Sequence, residues 1–234
     1  MENDMKERIV TIDIEGDLGD KARYQKLFPN GNHQDPDTQI WCATLSWYDI
    51  DGIQSKTFVA KLPPKDKQRI LKDGKPSGTW HDEETVVKDK YYTHKYGWVE
   101  NVMECDDELG LIAAVLSTIM DISPTAVYSK GYLSVNYDYT AILNSIKRLK
   151  GQDLSDEIDR LYRKLFRDAT LEFPQINKLW ERTAEQIQKG SWEQNQKYMA
   201  WGISHNIEDS RQLLELINKL KTEQQRIASI KGDF

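Results

Sequence analysis

The first residues whose types could do chemistry are two acids at the end of a strand-like segment. Apolar, β-branched residues occupy positions 9, 10, 12 and 14, and Asp13 and Glu15 lie at the carboxyl end of this run. Side chains two positions apart in a strand point to the same face. Two carboxylates on one face beside apolar neighbours repel each other and lose water, so they need basic side chains or metal ions. Taken alone, the pair is also explained by two solvated acids at a strand end.

A third acid, Asp138, lies in the segment NYDYTAIL after a predicted strand. The strand is predicted over 126–133 and the following helix over 137–150, with Gly151 ending it. An Asp in the first turn of a helix usually caps free backbone N–H groups. Considered by itself, Asp138 therefore favours a capping role.

A histidine and a fourth acid lie in SHNIEDS, positions 204–210, where the last predicted helix begins. Apolar residues at helical spacing from Ile207 to Ile227 predict this helix over 207–229. His205 and Asp209 are four residues apart and share one helical face. Asn206 is predicted to cap the helix, and the simpler interpretation of His205 and Asp209 is a surface pair.

The elements that must position these residues are strands first and helices afterwards. Strands are predicted over 8–14, 40–48, 55–62 and 126–133, with a turn at 49–52, and helices over 107–120, 137–150, 154–167, 175–189 and 207–229. This order favours one α/β domain over 1–234, with a mixed β-sheet flanked by helices. The polar stretch 63–97 is predicted to be a surface excursion, and 154–205 a helical insertion.

Composition limits the class of protein. The 234 residues can bury a sizeable core, and seven Trp, eleven Tyr and five Phe argue against a disordered chain. A net charge of -6 excludes a basic nucleic-acid coat, although a nuclease that gathers carboxylates around metal ions can be acidic. The longest apolar stretch, 109–120, is too short to cross a bilayer, so no membrane partner is expected. The charged N-terminus and the isolated Cys42 and Cys105 favour a cytoplasmic protein.

Taken together and in order, these segments resemble the histidine branch of the DEDD superfamily of 3′–5′ exonucleases, which have a ribonuclease-H-like fold. The matching residues are Asp13 and Glu15 in IVTIDIEGD, Asp138 in NYDYTAIL, and His205 and Asp209 in SHNIEDSRQLLELI. The usual T-T-G after the first Glu is replaced here by Gly-Asp-Leu at 16–18. His205 lies four residues before the final Asp, which is the spacing of the tyrosine branch, whereas the histidine branch has five.

The resemblance implies hydrolysis of a terminal phosphodiester with two Mg²⁺ or Mn²⁺ ions. It assigns Asp13, Glu15 and Asp209 to one ion, with Asp13 bridging to the second. Asp138 is expected to contact the second ion mainly through water. His205 and Glu15 are assigned to catalysis, and His205 would orient or deprotonate the attacking water.

Substrate contacts are predicted from sequence neighbourhood. Trp41 and Tyr137 are candidates to stack on a terminal base, and Lys130 to contact a phosphate, although both aromatics also fit a core or rim position. The expected partner is a single-stranded 3′ end of DNA, with replication or repair proteins as further candidates. An exoribonuclease that trims RNA 3′ ends remains open, as does a non-catalytic nucleic-acid-binding relative. The expected location is the cytoplasm of a bacterium or of a phage-infected host. The departures of the motif residues from the family pattern favour a phage source.

Overall fold

The computed structural model describes residues 7–17, 39–60, 86–87, 90–93, 97–99, 102–130, 137–180 and 195–232. Most of the predicted surface excursion 63–97 lies outside these residues, as does the stretch 181–194 of the predicted helical insertion. Within the described part of the chain, no helix is both long and apolar enough to span a membrane.

The described residues form an α/β structure around a mixed six-stranded sheet, as the sequence predicts. Its strands are β1 (Ile9–Asp17), β2 (Gln39–Asp49), β3 (Gly52–Ala60), β7 (Val102–Cys105), β8 (Ala126–Ser129) and β9 (Phe166–Asp168), in the spatial order β7-β3-β2-β1-β8-β9. β1 and β3 pair antiparallel with β2, while β8 pairs parallel with both β1 and β9, and β7 pairs parallel with β3. Three short strands, β4 (Val86–Val87), β5 (Lys90–Thr93) and β6 (Gly97–Val99), form a second antiparallel sheet.

Helices pack on both sides of the central sheet. They are α1 (Glu108–Ile122), α2 (Tyr137–Lys150), α3 (Gln152–Tyr162), α4 (Ala169–Glu172), α5 (Ile176–Leu179) and α6 (Asn195–Gly232). The Asp107 carboxylate caps α1 by accepting a hydrogen bond of 2.7 Å from the Gly110 N–H. Residue Ser123, in the left-handed conformation, ends this helix just before Pro124.

The two faces of β1 meet different surroundings. Val10, Ile12 and Ile14 belong to a hydrophobic core that includes residues of α1 and α2. Thr11 and Asp13 alternate with them and face α6, because the partners of both side chains lie on that helix. Asp13 therefore lies on the face of the sheet that packs against the C-terminal helix.

Several elements differ from the sequence prediction. Residues 166–168 form a strand at the edge of the central sheet, paired with β8, although the sequence predicts one helix over 154–167 as part of an insertion. The helix predicted over 175–189 ends at Leu179, because Trp180 has an extended backbone. The short strand β7 at Val102–Cys105 is not predicted. The C-terminal helix begins at Asn195 and not at 207, so Asn206 lies inside it and cannot be its cap.

Candidate functional site

The first carboxylate of the site, Asp13, is held by an amide on the C-terminal helix. Asn206 Nδ2 donates a hydrogen bond of 2.7 Å to Asp13 Oδ2. Asn206 is fully buried, and its Oδ1 accepts a weak hydrogen bond of 3.7 Å from Cys42 Sγ on the neighbouring strand. Glu15, which is paired with Cys42 in the ladder, lies two positions further along the same strand. The alternation of β1 thus presents Asp13 and Glu15 on the face that meets α6.

Small polar side chains bring α6 close to the sheet. Ser210 is fully buried, and its Oγ lies 2.9 Å from Ser46 Oγ on β2. Thr11 Oγ1 donates a hydrogen bond of 2.7 Å to the Ser210 carbonyl oxygen. Arg211 Nε donates a hydrogen bond of 2.7 Å to Ser55 Oγ on β3. These contacts fix the register of the helix against the strand that carries Asp13.

Asp209 and His205 lie one helical turn apart on α6, as their spacing predicts. His205 Nε2 and Asp209 Oδ2 are 3.4 Å apart, and both side chains are largely buried, with 16% of each exposed. The second oxygen, Asp209 Oδ1, is buried and has no hydrogen-bond partner among the described residues. A buried carboxylate oxygen in this state is an acceptor position available to a cation or a water molecule.

Asp138 approaches the same strand from the side of α2. It lies in the first turn of α2, is 4% exposed, and its Oδ1 accepts a hydrogen bond of 3.1 Å from the Ile14 N–H. The pairing of β1 with β8 ends at Thr11 and Tyr128, so β1 continues beyond its neighbour. The Asp138 carboxylate thus satisfies a backbone donor of β1 beyond the end of that ladder.

The four acids interact strongly through their charges. Burial raises the pKa of Asp13 well above its usual range, and the charges of Asp209, Asp138 and Glu15 raise it further. Burial, followed by the charges of Asp209 and Asp138, raises the pKa of Glu15 to about 8. Burial also raises the pKa values of Asp209 and Asp138 to about 7. Four acids from three distant segments therefore share one region in which ionisation of each disfavours ionisation of the others.

Lys130 places a positive charge beside this cluster. It follows the last residue of β8, and its charge lowers the pKa values of Asp13 and Asp209. Its Nζ lies 4.0 Å from the ring centroid of Trp180, a half-buried residue at the end of α5. A cation over the face of an indole is attracted by the ring quadrupole. Trp180 therefore holds the Lys130 ammonium near the acids.

The two aromatic residues predicted to stack on a base have different outcomes. Trp41 is 1% exposed. It has no partner residue on β1, because the pairing register shifts between Cys42, opposite Glu15, and Ile40, opposite Gly16. A ring buried in this way offers no face to a nucleotide, so the prediction for Trp41 is corrected. Tyr137 is the first residue of α2, next to Asp138, and its side chain lies outside the described residues.

The donor set fits hard divalent cations, but it is not assembled around one point. Carboxylate oxygens are the ligands that Mg²⁺ and Mn²⁺ prefer, and Asp209 Oδ1 is buried without a partner in the described structure. No group of three or more His, Cys, Asp or Glu side chains in the described ranges is arranged so that it could already hold a metal ion. Asp13 and Asp138 instead have hydrogen bonds to Asn206 and to Ile14. Ions would have to draw the carboxylates together.

Sequence reasoning did not identify three residues of this region as part of the site. The sequence predicts Asn206 as a helix cap, and it places Trp180 and Asp168 within the insertion 154–205 without assigning either to the site. Asp168 ends β9, is 9% exposed, and its charge raises the pKa of Asp138. No local signal marks these residues, because each joins the site through contacts with segments distant in the sequence.

Neither the protein-family models nor the curated proteins searched contain a match to this chain.

Proposed function

We propose that this protein is a metal-dependent 3′–5′ exonuclease that hydrolyses terminal phosphodiester bonds of DNA. The observation that carries the proposal is the mutual repulsion of Asp13, Glu15, Asp138 and Asp209 in one largely buried region. The free energy cost of burying several like charges is large, and proteins accept it where a ligand of opposite charge compensates it. Two divalent cations would compensate the charges of these acids and could in turn bind the phosphate of a substrate.

The topology supports the ribonuclease-H-like part of the proposal. An antiparallel set, β1 to β3, continues into the parallel strands β8 and β9, and Asp13 and Glu15 lie on β1 beyond the end of its pairing with β8. In sheets with parallel strands, ligands bind outside the carboxyl ends of those strands. Lys130 follows β8 and Asp168 ends β9 at this same edge.

The proposal assigns a separate role to each residue of the site. Asp13, Glu15 and Asp209 would hold one ion and Asp138 the water shell of the second. When bound, such ions lower the pKa of water and stabilise the charge of the attacking and leaving oxygens. Asn206 orients the Asp13 carboxylate through its hydrogen bond of 2.7 Å. Lys130, whose ammonium lies over the Trp180 ring, would attract the phosphate of a bound nucleotide.

His205 is the candidate to accept a proton from the attacking water. Burial lowers its pKa to about 4, so the imidazole is neutral at neutral pH and is a weaker base than an exposed histidine. The Asp209 carboxylate lies 3.4 Å from its Nε2 and restricts the orientation of the ring. Glu15, two positions beyond Asp13 on β1, would help to position the attacking water.

The test is release of mononucleotides from a single-stranded oligonucleotide labelled at its 3′ end, with MnCl₂ or MgCl₂. Asp13→Asn should lower the rate by about 100-fold or more, because a carboxylate that would hold the ions is lost. Asp121→Asn, which removes an exposed charge of α1, is the matched control. Activity that survives excess EDTA, or equal activity of Asp13→Asn and wild type, would reject the mechanism. DNA and RNA oligonucleotides of the same sequence separate an exodeoxyribonuclease from an exoribonuclease.

A further inference from the structure

Asp168 faces the same part of the site as Asp138. It is the last residue of β9 and pairs in parallel with Ser129, the last residue of β8. Paired residues of neighbouring strands carry their side chains on the same face. The Ser129 side chain forms a hydrogen bond with the Asp138 carboxylate. Ser129 therefore connects the two acids: Asp138 through a hydrogen bond, and Asp168 through the strand pairing.

The two oxygens of Asp168 have very different surroundings. Oδ1 caps α4, accepting hydrogen bonds from Thr170 N at 2.7 Å, Thr170 Oγ1 at 2.7 Å and Leu171 N at 3.3 Å. Oδ2 is buried and has no hydrogen-bond partner among the described residues, in a residue that is only 9% exposed. Capping needs one acceptor oxygen, and an Asn would supply it equally well. The cap therefore explains Oδ1 but neither the second oxygen nor the negative charge.

The charges of the two acids are coupled. Burial raises the pKa of Asp138, and the charge of Asp168 raises it further. The repulsion between Asp168 and Asp138 makes a second carboxylate at this position unfavourable. A cation, or a water molecule bound to a cation, would reduce this repulsion if it lay between the two acids. Independently of this charge effect, the pairing of Asp168 with Ser129 sets it beside the residue that contacts Asp138, and its Oδ2 is buried without a hydrogen-bond partner among the described residues.

We propose that Asp168 is a fifth carboxylate of the site, a positioning residue that holds the water shell of a divalent cation bound beside Asp138. This inference rests on the proposed function. Groups beyond the direct ligands of a metal orient those ligands and the bound water, and their loss typically weakens metal binding 10- to 100-fold. Asp168 acts through water and through Asp138, so it is distinct from the four acids that the family resemblance assigns.

The experiment compares Asp168→Asn, Asp168→Ala and wild type by calorimetric titration with MnCl₂, without substrate. Asp168→Asn keeps the acceptor for the cap and removes the charge, whereas Asp168→Ala removes both. We expect Asp168→Asn to bind at least one Mn²⁺ about tenfold or more weakly, while its melting temperature in EDTA stays equal to or above that of wild type. Asp168→Ala should show the same loss of Mn²⁺ affinity and a lower melting temperature, because the cap is gone.

Asp153→Asn, which removes an exposed acid of α3, controls for the change in net charge. Mn²⁺ affinity of Asp168→Asn equal to that of wild type would overturn the inference and leave the proposed function standing. Wild-type protein that binds no Mn²⁺ would overturn both.

Discussion

Asn206 Nδ2 and Asp13 Oδ2 form a hydrogen bond of 2.7 Å that joins residues 193 positions apart in the sequence. The donor is neutral, so it orients the carboxylate without compensating its charge. The Asn206 amide is itself oriented, because its oxygen accepts from Cys42 Sγ on β2. One buried amide thus connects the C-terminal helix to both central strands at the acidic end of β1.

Replacement of this amide should lower stability and disturb metal binding. Asn206→Ala leaves Asp13 Oδ2 without its donor, and we expect a loss of about 1–3 kcal/mol in the free energy of unfolding, measured with urea in EDTA. Gln225→Ala, on the exposed part of the same helix, should change it by less than about 0.5 kcal/mol. An Asn206→Ala protein as stable as wild type would show that the hydrogen bond does not hold Asp13.

In EDTA, stability should fall as the pH rises from about 4 to about 8. The pKa of Glu15 is raised to about 8, and those of Asp138 and Asp209 to about 7, whereas the same groups in the unfolded chain titrate near 4. Within this window the folded state keeps protons that the unfolded chain has lost, so a rising pH favours unfolding. His205, with its pKa lowered to about 4, acts in the opposite direction below about 6.5, but it is one group against several acids.

Urea unfolding at pH 5 and pH 8 measures this dependence. We expect the protein in EDTA to lose at least about 1 kcal/mol between the two, since one pKa unit corresponds to about 1.4 kcal/mol. Saturating MnCl₂ at pH 8 should restore the loss, because bound cations favour the ionised carboxylates. Asp209→Asn should flatten the dependence in EDTA. Stability that rises from pH 5 to pH 8 in EDTA would contradict the buried-acid interpretation.

His205 should be important for turnover and unimportant for holding the ions. His205→Ala is expected to lower kcat about 100-fold, which is typical when a positioned base is lost. The Mn²⁺ affinity should change much less, because only carboxylates are assigned as ligands. Calorimetry and the mononucleotide-release assay on the same preparation provide both readouts. An unchanged kcat would assign the base to another group.

Parts of the fold were predictable because their signals are local. Helix α2 was predicted over 137–150 and is found at Tyr137–Lys150, with an acid in its first turn and Gly151 after its last residue. The hairpin of β2 and β3 was predicted from its strand-like runs and the turn at 49–52, where Gly52 has a φ of 107°. Such signals depend on neighbouring residues alone.

The missed parts depend on contacts between distant segments. β9 has three residues, too few for a periodic pattern, and is a strand because it pairs with β8. Asn206 looks like a cap in sequence, and only the position of α6 against β1 shows that its partner is Asp13. The four acids were selected through the order of their segments and its resemblance to a known family, whereas Asp168 is connected to them through the pairing with Ser129.

The polar interface between α6 and the sheet should tolerate little added volume. Ser210 is fully buried, with its Oγ 3.3 Å from the backbone oxygens of both Thr11 and Thr44. Ser210→Leu would push α6 away from β1, and we expect a loss of about 1–3 kcal/mol in unfolding free energy together with weaker Mn²⁺ binding. Ser229→Leu, at an exposed site on the same helix, should change neither by a comparable amount. Retention of both properties in Ser210→Leu would mean that this contact does not position Asp209.

Lys130 should stabilise the ion-free protein more strongly where the acids are ionised. Lys130→Met removes the positive charge near Asp13 and Asp209, and it also removes the cation over Trp180. The stability lost with the Trp180 contact is independent of pH in this range. The stability lost with the positive charge near the acids grows as the carboxylates ionise. Urea unfolding in EDTA should therefore show a loss at pH 8 that exceeds the loss at pH 5 by about 1 kcal/mol or more. Lys150→Met, an exposed charge removed from α2, should show no such difference. An equal loss of stability in Lys130→Met at both pH values would mean that Lys130 stabilises the protein only through its contact with the Trp180 indole.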